Sequence, residues 1–114
     1  MEFVETRVFT RHLSGHLTDG SFSDLQQELI RNPELGDKIP GSGGIRKVRW
    51  ESARHSTGKR GGLRIIYFHH KVKCRIYLLT LYWKGDIEDI TKDEIKALKQ
   101  LVRGWNHGQA EVVR

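Results

Sequence analysis

The residues of this chain best suited to chemistry are cations. Seven of them, Arg46, Lys47, Arg49, Arg54, Lys59, Arg60 and Arg64, fall within nineteen positions against one carboxylate, Glu51. The excess in that segment equals the net charge of the whole chain, +6, and the rest balances at thirteen basic and thirteen acidic residues. A solvated loop would carry such a cluster too, but a local positive field is also what a polyanion requires. Strand phase narrows the cluster. In IRKVRW (45–50), Lys47 and Arg49 are two apart and share one face of a strand, while Val48 and Trp50 take the other. Arg64, at the start of the next long strand, and Lys84, just past the end of the third, converge with them if those strands pair. Four cations gathered without matching carboxylates repel one another unless a phosphate supplies the missing charge.

Phosphodiester cleavage by the 2′-hydroxyl of RNA needs such a group. It must activate the hydroxyl, stabilise a pentavalent phosphorane-like dianion and protonate the leaving 5′-oxygen. Arginine offers bidentate donors to phosphate, and a lysine among cations can shuttle protons. The scheme requires neither metal nor cofactor. Lys47, Arg49, Arg64 and Lys84 are therefore the candidate catalytic residues. Arg46, Arg54, Lys59 and Arg60 are candidates for general RNA attraction. Tyr82 and Trp83, which precede Lys84, and Trp50 are candidates to stack on an unstacked base, core packing being the competing fate of each.

Other chemistries find less support. His69 and His70 are adjacent at a strand end and point to opposite faces, so they cannot converge as an acid–base or metal-ligating pair. His55, within the basic stretch, is a candidate proton donor, and a solvated loop histidine otherwise. His12, His16 and His107 have no partner at an interpretable spacing. Zinc-type Cys/His clusters, phosphate-cradling glycine loops and serine nucleophile motifs are all missing from the sequence.

The elements that must position the cations follow from periodicity. Residues 2–8 read as a strand, and Phe9, Leu13 and Leu17 mark a short helix. Phe22, Leu25, Leu29 and Ile30 recur at helical spacing until Pro33, and 33–44, rich in Gly and Pro, is a loop. Three strands follow: Ile45–Trp50, Gly62–His70 and Cys74–Trp83, the last two joined by a tight turn near Lys71-Val72. Both long strands are apolar on both faces, which predicts central strands covered on each side. Thr91 and Glu94 form a capping-box signature for a last helix, with Ile95, Leu98, Leu101, Val102 and Trp105 on one face. The order βααβββα predicts an α+β fold, a small antiparallel sheet flanked by helices. Residues 52–62 are the expected solvated loop.

With 114 residues the chain is expected to be one domain, 1–114. Its single cysteine, Cys74, sits beside an apolar run and reads as a reduced, buried thiol, favouring a reducing compartment. The first residues lack a secretory h-region, and no apolar run approaches the ~18 residues of a membrane span. A cytoplasmic protein with no membrane partner is the expectation.

The succession GDKIPGSGGIRKVRW, GKRGGLRIIYF and YLLTLYWKGD before a terminal helix resembles the RelE/ParE superfamily of toxins from type II toxin–antitoxin modules, its HigB branch in particular. The resemblance covers nearly the whole chain. It implies a microbial-RNase-like toxin, a metal-independent mRNA interferase acting in the ribosomal A site and neutralised by a helix-turn-helix, HigA-like antitoxin. Its partners would be the ribosome and mRNA. By that resemblance Lys47 and Arg49 match the family's basic pair, Arg64 its phosphate-binding arginine, and Lys84 a basic residue near the last strand's end. Where the archetype has a tyrosine shortly afterwards, this sequence has Ile90, so base stacking would fall to Tyr82 or Trp83. Two other outcomes stay open: a ParE-like, non-catalytic inhibitor of DNA gyrase, and an inactive RNA-binding relative.

Overall fold

The computed structural model describes residues 1–50, 62–84 and 89–106. Within them the elements run β1 (Glu2–Glu5), α1 (Arg7–Leu13), α2 (Asp19–Arg31), β2 (Asp37–Lys38), β3 (Ile45–Trp50), β4 (Leu63–His70), β5 (Arg75–Trp83) and α3 (Lys92–Asn106). The strands form one sheet in the order β1-β5-β4-β3-β2. The α+β class and the succession of elements are as expected, with two additions. The two-residue β2 pairs with Lys47 and Arg46 in what reads as a loop, and β1 lies parallel to β5, so the sheet is mixed.

Thr6 explains why the first strand stops short of residue 8. Its amide donates to Leu78 O (3.1 Å) and its hydroxyl to Leu79 O (2.8 Å), while the same oxygen accepts from Phe9 N (3.2 Å). One buried residue thus ends β1 and caps α1. Thr18 starts α2 in the same way, accepting from Ser21 N at 3.1 Å, and so the helix begins at Asp19. At α3 the capping box forms in both directions: Thr91 N donates to Glu94 Oε1 (2.9 Å), and Glu94 N to Thr91 Oγ1 (3.1 Å).

Both faces of the central strands are covered. On one side Leu63, Ile65 and Tyr67 of β4 pack with Phe9, Leu25 and Leu29 of α1 and α2. On the other, Ile66 and Phe68 pack with Tyr77, Leu79 and Val102, joined by the partly buried Ile95, Leu98 and Leu101 of α3. The ladder between β4 and β5 shifts register at Ile66/Tyr67: Ile66 faces Thr80, Tyr67 faces Leu78, and Leu79 is the extra residue. This bulge inverts the phase of β5. Tyr82, which strict alternation from Tyr77 would send to the α1–α2 side, comes to the α3 side.

The segment before β3 fixes where its cations stand. The buried Ser42 hydroxyl donates to Ile39 O (2.6 Å) and accepts from Ile45 N (3.0 Å). Gly43 and Gly44 take the positive φ values, 79° and 104°, that the tight return demands. Below it, Tyr67 OH accepts from Gly36 N (2.9 Å) and donates to Pro33 O (2.8 Å). Gly36 lies so close to β3 that a Cβ there would stand 2.8 Å from Lys47 O. Cys74 corrects an expectation: it is exposed, in the Lys71–Cys74 turn, with φ of 52°, because the hairpin needs a left-handed residue there.

Candidate anion-binding site

Three strands carry the site. In the antiparallel registers, Arg49 of β3 stands directly opposite Arg64 of β4, and Arg64 opposite Tyr82 of β5. The next row along the same face is Lys47, Ile66 and Thr80. Alternation places Lys47, Arg49 and Arg64 together on the α3 side, as the sequence predicts. The ladder runs one bond further, Lys84 N to Gly62 O at 2.7 Å, so Lys84 leaves β5 in phase with Tyr82 and is exposed.

The cations differ in burial. Arg49 is exposed at the rim and Lys47 is half-buried, but Arg64 is only 8% accessible, and its Nη1 is buried without a hydrogen-bond partner among the described residues. A buried, incompletely paired guanidinium facing a second arginine is destabilising twice over, by desolvation and by cross-strand repulsion. An anion paired with both guanidiniums would offset both terms. Such an arrangement can bind a tetrahedral oxyanion, with Arg64 as its floor and Arg49 as its rim.

One further member, Asp89, is not among the residues that the sequence singles out. Asp89 Oδ1 accepts from the Tyr82 hydroxyl (2.9 Å), from Lys47 Nζ (3.3 Å) and from Ile90 N (2.8 Å). The Ile90 amide foremost, then the Tyr82 hydroxyl and Lys47, hold the Asp89 carboxyl below the usual range. Burial, then the bond and charge of Asp89, push the Tyr82 phenol up to about 12. In sequence Asp89 is one acid among several before a helix. The clue available was its distance of two residues from the Thr91 cap, which fixes where the chain enters α3.

Other candidates lie elsewhere. Arg46 is on the opposite face, where Nη1 donates to Gly36 O (2.7 Å) and Nη2 stands 3.9 Å from Glu34, so it braces the 33–37 segment rather than joining the site. Tyr82 cannot stack on a base, because its ring is buried under α3 at 8% accessibility. Trp83 pairs with Leu63 in the other strand phase, and its indole closes over Gly62. Trp50 donates to Ser21 Oγ (3.1 Å) and packs on the α1–α2 core. His69 and His70 are at the far end of β4 from Arg64. His69 is held below its ordinary pKa by burial and then Lys71, and the His70 ring contacts Phe68 and Tyr77. Arg54, His55, Lys59, Arg60, His107 and the Trp105 side chain lie outside the described residues. Among the described residues no group of three or more His, Cys, Asp or Glu is placed to hold a metal, and no helix is long and apolar enough to cross a membrane.

Fold and site together define a mixed-sheet α+β protein with a cationic, anion-ready end to its sheet. No protein-family model matches the chain. Among solved structures it is similar to an arginine-to-alanine double mutant of the E. coli toxin RelE in the free state, at TM-score 0.55 and 13% identity, over 87% of this chain and 93% of that one. A likeness in shape with so little shared sequence shows a common fold.

Proposed function

We propose that this chain is the toxin of a type II toxin–antitoxin module, a HigB-like, ribosome-dependent mRNA endonuclease that stops translation by metal-independent cleavage. The observation that carries this reading is Arg64, a buried guanidinium with an open donor, flanked by Arg49 and backed by Lys47. The shared fold with RelE and the sequence motifs around Lys47, Arg64 and Lys84 support it.

In this mechanism Arg64 and Arg49 bind the scissile phosphate. The 2′-oxygen attacks phosphorus, forming a 2′,3′-cyclic phosphate as the bond to the 5′-oxygen breaks. The arginines stabilise the charge that accumulates on the non-bridging oxygens, where positioned donors are worth most. Lys47 assists proton transfer, and Lys84 neutralises charge at the mouth of the site. Arg54, Lys59 and Arg60 attract ribosomal or messenger RNA, a role whose strength falls with salt. The partners are the ribosome with its mRNA and a HigA-like helix-turn-helix antitoxin, and the compartment is the cytoplasm.

Primer extension on mRNA in a translating extract tests the proposal. Wild-type protein should produce discrete cleavage sites, and Arg64→Ala should lose about 100-fold or more of that activity, the usual effect of removing a donor to a transition-state oxyanion. Undiminished cleavage by Arg64→Ala would sink it. Inhibition of gyrase supercoiling without cleavage would point to the non-catalytic alternative.

A further inference from the structure

We propose that Asp89 is a positioning residue of this site, its carboxylate fixing the Lys47 ammonium beside Arg64 by holding Lys47 and the Tyr82 hydroxyl at once. The inference deepens the proposed function and rests on it.

Three observations converge. First, one oxygen, Asp89 Oδ1, takes hydrogen bonds from β3 through Lys47, from β5 through Tyr82 and from its own segment through Ile90. The carboxylate therefore bridges the two strands that flank Arg64's strand. Second, its backbone is anchored. Asp89 lies two residues before Thr91, whose reciprocal bonds with Glu94 hold the first turn of α3. Tyr82 is buried and approaches from the sheet, so the acceptor is fixed from two sides. Third, the Lys47–Asp89 contact offers little as a stability device. The Asp89 side chain is 58% accessible, and exposed ion pairs contribute little to folding.

What the contact does supply is direction. Lysine carries its charge on a flexible four-carbon stem, and a free ammonium at the sheet's surface would sample many positions. Held at 3.3 Å from Asp89, it is confined to the same face and the adjacent row from Arg49 and Arg64. Arg64 Nη1 has no partner among the described residues, so Asp89 orders the site without filling it.

The test is a double-mutant cycle on full-length protein: Asp89→Ala, Lys47→Ala and both together, with Asp89→Asn as the shape-conserving variant and circular dichroism to verify folding. Asp89→Ala should lower kcat for RNA cleavage about 10- to 100-fold, the scale of a misplaced catalytic group, with KM little changed. In the Lys47→Ala background it should change little further. Asp89→Asn keeps an acceptor oxygen and should lose less. Separately, ultraviolet titration should show one tyrosine of Asp89→Ala ionising at lower pH than in wild type, as the Tyr82 phenol loses its bond. Losses that simply add to those of Lys47→Ala, a cleavage rate unchanged by Asp89→Ala, or an unmoved tyrosine titration would overturn the inference. If Arg64→Ala also cleaves normally, the proposed function falls. If Arg64→Ala is inactive and Asp89→Ala is not, only the role of Asp89 falls.

Discussion

Two cross-strand rows on the same face of the sheet, four residues apart along β3 and β4, are built to opposite ends. One is Ile45, Phe68, Tyr77 and Val4, four apolar residues in register across four strands and all at or below 9% accessibility. The other is Arg49, Arg64 and Tyr82, in which two arginines stand directly opposite in register and one has a buried nitrogen without a partner among the described residues. The first row gains from folding alone, by burying apolar surface. The second, a buried charge opposite another cation, opposes folding. Under the proposed function the row serves an anion, whose charge its guanidiniums would pair.

Substitutions at the two rows should therefore act in opposite directions. The largest effect is expected at the packed row: Ile45→Ala should lower the unfolding free energy by about 2–5 kcal/mol, read by urea denaturation, while leaving activity per folded molecule unchanged. At the charged row Arg64→Leu should instead raise stability, by about 1–2 kcal/mol, since it removes a desolvated charge; a lower melting temperature would show that Arg64 is a satisfied structural residue. Smaller again, Arg49→Glu should convert a cross-strand repulsion into an attraction worth about 0.2–1 kcal/mol, with weaker RNA binding.

A separate effect appears only at alkaline pH. The Tyr82 phenol has an ordinary value of 10.0 and is raised to about 12 in the folded chain. The neutral form is therefore favoured by the fold. Its contribution is complete below pH 10 and is lost as pH rises from there to about 12. Tyr82→Phe should remove that part of the alkaline decline, and a denaturation series across this window checks it. Tyr67, also raised chiefly by burial, should contribute a separate part that survives in Tyr82→Phe.

Much of this contrast is legible in the sequence, and its limits are physical. The period-two pattern of IRKVRW separates Lys47 and Arg49 from Val48 and Trp50, and the apolar runs of β4 and β5 show that both faces are covered. The helix start at Thr91 follows from local hydrogen-bonding chemistry. By contrast, the parallel β1–β5 pairing joins residues more than seventy positions apart and leaves no local trace. The bulge at Leu79 is equally silent, and it decides that Tyr82 lies buried on the α3 side beside Arg64 and not on the α1–α2 side. Arg46 could be seen as one cation among seven, but not as the brace of Gly36 and Glu34 on the opposite face. Asp89 enters the site only through tertiary contacts.

The response of stability to an anion probes the Arg64 site most directly. Inorganic phosphate and a short RNA whose 2′-hydroxyls are methylated should each raise the melting temperature of the wild-type protein in a concentration-dependent way, since a ligand that binds only the folded state stabilises it by mass action. In Arg64→Leu, more stable at the outset, that rise should vanish. A rise of equal size in Arg64→Leu would contradict the account, because the anion would then be held without the buried arginine.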